Sequence, residues 1–139
     1  MTYEEKGIWV FLLVNAVTFV TYVVIILTRA ADGDLAQVPY VSTLLWTLGI
    51  SIAAAVAGRI LVEIVKPSES HRADVRDKEI NRYGEYAAGS ILAVGMVIPF
   101  ALTLAGAAHF WIANAMYAVY TLAFLIGPAL KLVAYRRGM

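Results

Sequence analysis

Any chemistry in this chain has to come from a few polar side chains set into long apolar stretches. Asn15, Thr18 and Tyr22 follow one another at i, i+3 and i+7. Asn114, Tyr117 and Thr121 repeat that spacing later in the chain, and Thr43, Trp46, Thr47 and Ser51 lie between the two series. On a helix, each series falls on one face. Facing one another, they would line a polar seam between helices 1, 2 and 4. Its most useful members are Asn15, Tyr22, Trp46, Asn114 and Tyr117, whose amides, phenols and indole can hydrogen-bond to and stack on a small ligand. Such a seam would open beside His109 and Trp111. The plainer reading is that these groups hydrogen-bond between helices and hold them together, at about 0.6–2 kcal/mol each. An amide in hydrocarbon needs partners in either case, which makes Asn15 and Asn114 the most informative members.

Charged candidates cluster elsewhere. Arg59 and Glu63 are i and i+4, so they can pair on one helix face near the end of the second apolar stretch. Asp74 and Lys78 have the same spacing within the run DVRDKEI (74–80). Both pairs read first as interfacial or solvated ion pairs. The functional alternative is a docking surface for a cytoplasmic partner or for anionic lipid heads, although the mixed signs argue against a purely lipid-binding patch.

Several classes lack the residues they need. The chain has no cysteine, and its two histidines, His71 and His109, fall in different loops, so neither a metal site nor a cofactor is expected. A net charge of +1 gives no nucleic-acid footprint. There is no Gly-rich phosphate loop, no HExxH and no Ser-His-Asp set. A proton-coupled exporter of the small multidrug class works through a glutamate within its first helix. Here that helix offers Asn15, Thr18 and Thr21. The expectation is therefore a protein that is not an enzyme.

The elements that position these residues follow from composition. The 139 residues are 61% hydrophobic and 15% charged, with a mean hydropathy of +0.75. Soluble domains run at about 45–50% apolar and about a quarter charged, so lipid is the expected solvent. A bilayer core needs about 20 apolar residues per helix. Four stretches qualify, 7–27, 40–65, 86–108 and 110–133, with a polar connector at 66–85. The predicted fold is all-α: an integral membrane domain of four transmembrane helices arranged as two antiparallel helical hairpins. Thr2 and Glu5 have capping-box spacing at the first helix. Asp32, Gly33 and Asp34 mark a turn. Pro67 and Ser68 break the chain, and a third helix is expected from about Ser70. Gly95 with Pro99, and Gly127 with Pro128, predict bends, because proline has no N–H to donate.

Basic residues set the expected orientation. The connector carries Lys66, Arg72, Arg76, Lys78 and Arg82, and the tail Arg136 and Arg137, against Arg29 alone in the first loop. The positive-inside rule then puts the connector and both termini in the cytoplasm. Packing signals lie in the second helix, where Gly49, Ala53 and Ala57 form one small-residue stripe and Ala54 and Gly58 another. Gly84 with Ala88, and Gly89 with Ala93, continue the theme. On this reading Gly58→Leu should weaken association between chains. Segment 57–63 can also be laid over 126–132, and Gly7 over Gly84, as two copies of one hairpin or as chance likeness between apolar helices.

The opening MTYEEKGIWV, the connector ADVRDKEINRYGEY, the segment AHFWIANAMY and the tail KLVAYRRG resemble small uncharacterised four-span membrane proteins of actinobacteria and related bacteria. That resemblance implies a bacterial plasma membrane and brings no activity or catalytic residue with it. Two functions remain open: helix packing with itself or a membrane-protein partner in the lipid bilayer, and transport or ligand binding in the polar seam.

Overall fold

The structure, a computed structural model, describes residues 2–31, 33–68 and 72–138. They form helices α1 (Tyr3–Ala30), α2 (Val41–Val65), α3 (Val75–Gly95), α4 (Val97–Leu104) and α5 (His109–Arg137), with a short 3₁₀ turn at Leu35–Gln37. The described chain is all-helical, and α3 with α4 counts as one stretch. Four helices result that are long and apolar enough to cross a membrane: Tyr3–Ala30, Val41–Val65, Val75–Leu104 and His109–Arg137.

Local chemistry accounts for the boundaries. The Thr2 hydroxyl accepts from the Glu5 N–H at 3.1 Å, so α1 starts before its apolar part begins. The third helix starts at Val75 because Asp74 and Asp77 make a reciprocal capping box. Glu69, Ser70 and His71, where the start was expected, lie outside the described residues, as does Asp32 of the expected turn. Between α3 and α4 the helix is interrupted at Met96, three residues before Pro99. By contrast, α5 runs without a break through Pro128.

Packing sets the spatial order α2, α1, α5, α3. The first helix packs against both α2 and α5, and α5 packs against α3 and α4. The second helix has no packed interface with α3, α4 or α5, and none of its residues is buried. The two ends of the molecule therefore differ. At the loop end the 3₁₀ turn folds onto α1 and α5, and Tyr22, Ile26, Ala30, Val38 and Phe110 form the core. Tyr40 meets Phe110 edge to face at 5.3 Å there. At the connector end α2 and α3 stand apart.

Two close helix crossings depend on glycine. A Cβ on Gly58 would lie 2.9 Å from Val10 Cγ1 of α1. A Cβ on Gly127 would lie 2.9 Å from the Ala88 Cβ of α3. Gly58 thus serves packing inside the chain, against α1. Gly49, Ala53 and Ala57 are exposed on the far side of α2, and Gly49 has open space around it.

Candidate functional site: a groove between α2 and α3

Because α2 and α3 do not meet, a groove of about 1000 Å³ runs between them. Its floor comes from α1 and α5 through Phe11, Asn15, Tyr117, Tyr120 and Phe124. On one side stand Ser51 and Ala55 of α2, and on the other Ala88 and Gly89 of α3. Each helix contributes at three- and four-residue spacing: Leu44, Leu48, Ser51, Ala55 and Arg59 on α2, for example. From Leu44 to Arg59 that stripe spans about 22 Å. The lining is mainly apolar and aromatic, with Phe11 and Phe124 edge to face at 5.8 Å.

Polar groups gather where the groove meets the connector end. Arg59 and Glu4 line it there, together with Asn81, Glu85 and Lys131. Lys131 is buried, and its Nζ donates to Asn81 Oδ1 at 2.7 Å and to Glu85 Oε1 at 2.6 Å. Its stem crosses α3 at Gly84, where any Cβ would overlap it. Arg59 is held differently. Its guanidinium lies over the Tyr3 ring at 4.3 Å and packs against Gly7. Its nearest carboxylate is Glu4, 3.8 Å from Nη2. The Arg59 Nε is buried without a hydrogen-bond partner.

The expected seam divides in two. The Tyr22 hydroxyl donates to Asn114 Oδ1, and the Asn114 amide donates to the Phe110 carbonyl at 2.7 Å. Tyr117 packs edge to face on Tyr22 at 5.0 Å. This cluster is packed core at the loop end. Asn15 lies in the groove with Tyr117, its amide turned back to the Phe11 carbonyl at 2.8 Å. Trp46 does not join the seam: it is 70% exposed on α2. His109 and Trp111 do not rim the cavity either; its polar end is at the opposite end of the helices. The physical reason is aromatic packing, which fills the loop end and leaves no space there.

The expected ion pairs are also reassigned. Arg59 turns to Glu4 and Tyr3 of α1. Glu63 instead takes Lys6, 3.5 Å away. The buried Lys6 Nζ also donates to the Lys66 carbonyl and to Ser68 Oγ, and the Ser68 N–H donates to Glu63 Oε1 at 2.7 Å. Lys6 therefore satisfies the C-terminal end of α2, a role its position in a short polar head did not reveal. Asp74 spends its carboxylate on the Asp77 N–H at 2.7 Å as an N-cap, and Lys78 is left exposed.

A second tie closes α3 onto α5. The Tyr135 hydroxyl donates to Asp77 Oδ1, and Arg76 donates to the Tyr135 carbonyl at 2.8 Å. Both ends of this tie lie outside the apolar segments 86–108 and 110–133. Partial burial pushes the Asp77 carboxyl up. Hydrogen bonds from the Tyr135 hydroxyl and from Asp74, with Arg76 alongside, outweigh it and hold the group below the usual carboxylate range. Burial and the Asp77 carboxylate raise the Tyr135 phenol. Among the described residues no group of three His, Asp or Glu side chains is placed to hold a metal ion.

In comparisons with protein-family models, with curated proteins and with solved structures, nothing matches this chain.

Proposed function

We propose that the chain is an integral membrane protein that binds a small elongated ligand in the groove between α2 and α3, without transforming it. Its four long helices cross a bacterial plasma membrane as two antiparallel hairpins, with the connector and both termini in the cytoplasm. The apolar lengths and the basic residues of the connector and tail support that placement.

The single observation that carries the binding reading is the groove itself: about 1000 Å³, lined by four helices, mainly apolar along its length and charged at one end. Small-molecule sites occupy about 300–1000 Å³ and combine an apolar lining with a few placed polar groups. An acyl chain tagged with a nitrobenzoxadiazole fluorophore tests the reading. The purified protein should bind it saturably, and Gly89→Leu should abolish binding, since Gly89 faces open space in the groove. Non-saturable partitioning, indifferent to Gly89→Leu, would count against it.

One further observation favours association as a second reading. α2 has no buried residue, and Gly49, Ala53 and Ala57 present a small-residue stripe away from the rest of the chain. Such stripes let helices approach closely in lipid. Crosslinking in lipid vesicles should give dimers that Ala53→Leu removes; a chain that is monomeric before and after the change would exclude this reading.

A further inference from the structure

We infer that the groove holds one phospholipid with a zwitterionic head, its phosphate on Arg59 and its ammonium on Glu85, with its acyl chains along the apolar length. The inference rests on the groove being a binding site and adds the chemistry of the occupant. Three observations carry it.

The first is an unspent arginine. Arg59 lines the polar end of the groove on the α2 side, and its guanidinium makes no hydrogen bond to another described residue. Glu4 is 3.8 Å away, beyond hydrogen-bond reach, and Glu63, the carboxylate one turn along, is engaged by Lys6 and Ser68. A planar guanidinium with free N–H groups suits the paired oxygens of a phosphate. An uncharged head would leave those groups without an acceptor.

The second is the sign of the opposite side. Glu85 of α3 is two-thirds exposed, and Lys131 takes only its Oε1. Glu4 adds a further carboxylate on the α1 side. Lys131 is buried and already bonded to Asn81 and Glu85, so it offers no second free cation. The polar end therefore presents one guanidinium without a hydrogen bond among the described residues and, on the α3 side, a carboxylate with one oxygen left over by Lys131. A purely anionic head would satisfy the first and oppose the second. A purely cationic head would do the reverse. A head that carries both charges matches both.

The third is shape. The charged groups sit at one end only, and the stripe from Arg59 back to Leu44 runs about 22 Å through mainly apolar side chains. Because α2 and α3 do not pack together, the groove is open along its side, so a lipid can enter from the bilayer without crossing the protein.

Native mass spectrometry of the full chain in detergent tests the assignment, with phosphatidylethanolamine, phosphatidylglycerol and diacylglycerol of identical chains as probes. One phosphatidylethanolamine should be retained per chain, at least tenfold more tightly than diacylglycerol and several-fold more tightly than phosphatidylglycerol. Arg59→Gln should weaken both phospholipids about tenfold, and Arg59→Lys less. Glu85→Gln should erase the preference between them. Gly89→Leu should abolish retention, and Val94→Phe, on the exposed far side of α3, should leave it unchanged. If Gly89→Leu leaves retention intact, the groove reading itself falls. If Gly89→Leu abolishes retention but diacylglycerol or phosphatidylglycerol binds as tightly as phosphatidylethanolamine, the groove stands and the head assignment is overturned. Should Arg59→Gln fail to fold, the ratios among the three probes on the unaltered chain decide the same point.

Discussion

Single residues in this protein act through close approach and through buried charge. Gly84 and Gly89 look alike in the sequence and differ in the structure. A Cβ on Gly84 would overlap the Lys131 stem, whereas Gly89 faces open space. Gly84→Ala should therefore destabilise the chain by about 1–3 kcal/mol, because it forces Lys131 away from Asn81 and Glu85. Gly89→Ala should be neutral or slightly stabilising, since alanine is the better helix former. Melting temperatures of the two variants in one detergent check the contrast. The Asp77–Tyr135 tie gives a pH prediction. A carboxyl whose folded pKa is depressed adds stability above its unfolded value, about 3.9, and that stability is lost as pH falls through the folded value. Raised Tyr135 acts in the opposite limit: its contribution is present below the ordinary phenol range and lost as pH rises through the folded value. Thermal stability should fall on acidification from pH 5 to pH 2, and Asp77→Asn should flatten that fall; an unchanged acid profile in the variant would remove Asp77 from the explanation. Spacing alone could not identify these partners. Arg59 with Glu63, and Asp74 with Lys78, satisfied the i,i+4 rule, yet Glu63 takes Lys6, Arg59 packs on Tyr3 beside Glu4, and Asp74 becomes an N-cap and leaves Lys78 exposed.

At the level of elements, α2 decides the architecture. It is anchored at one end through Lys6, on Glu63, Lys66 and Ser68, and at the other through the 3₁₀ turn. Along its length α1 is the helix it packs against. Of the small residues along α2, Gly58 turns toward α1 and Gly49, Ala53 and Ala57 turn away. Gly58→Leu should accordingly lower the melting temperature of the monomer by separating α1 from α2, through the contact with Val10. Ala53→Leu should leave that temperature within a degree or two. Thermal unfolding of both variants, followed by circular dichroism, measures the difference, and equal melting temperatures would show that the Gly58–Val10 contact does not matter. The sequence identified small residues on two faces; it could not say which face met α1, because both faces are apolar.

For the whole molecule, one device recurs. In each half a glycine on the first helix lies under a basic side chain from the last: Gly7 under Arg59, and Gly84 under Lys131. Each half also ties its ends near the connector, through Lys6 with Glu63 and through Tyr135 with Asp77. That likeness extends the overlay of Gly7 on Gly84 from sequence to packing. The proposed placement across a membrane has a direct test, because the chain contains no cysteine. Gln37→Cys should react with an impermeant maleimide from outside intact cells, and Lys78→Cys and Arg137→Cys only after lysis. Labelling of Lys78→Cys from outside would invert the topology.

The sequence by itself determined the number of long apolar helices, their approximate limits, the polar break after α2 and the interruption near Pro99. These follow from length, composition and proline chemistry, which act locally. Only the tertiary structure decided that Tyr22, Asn114 and Tyr117 close one end, that Trp46 stands outside, and that α2 and α3 part to leave a groove ending at Arg59. The reason is that an apolar side chain is equally at home against lipid or against another helix. Hydropathy cannot rank those choices, and shape, through glycine crossings and aromatic packing, makes them.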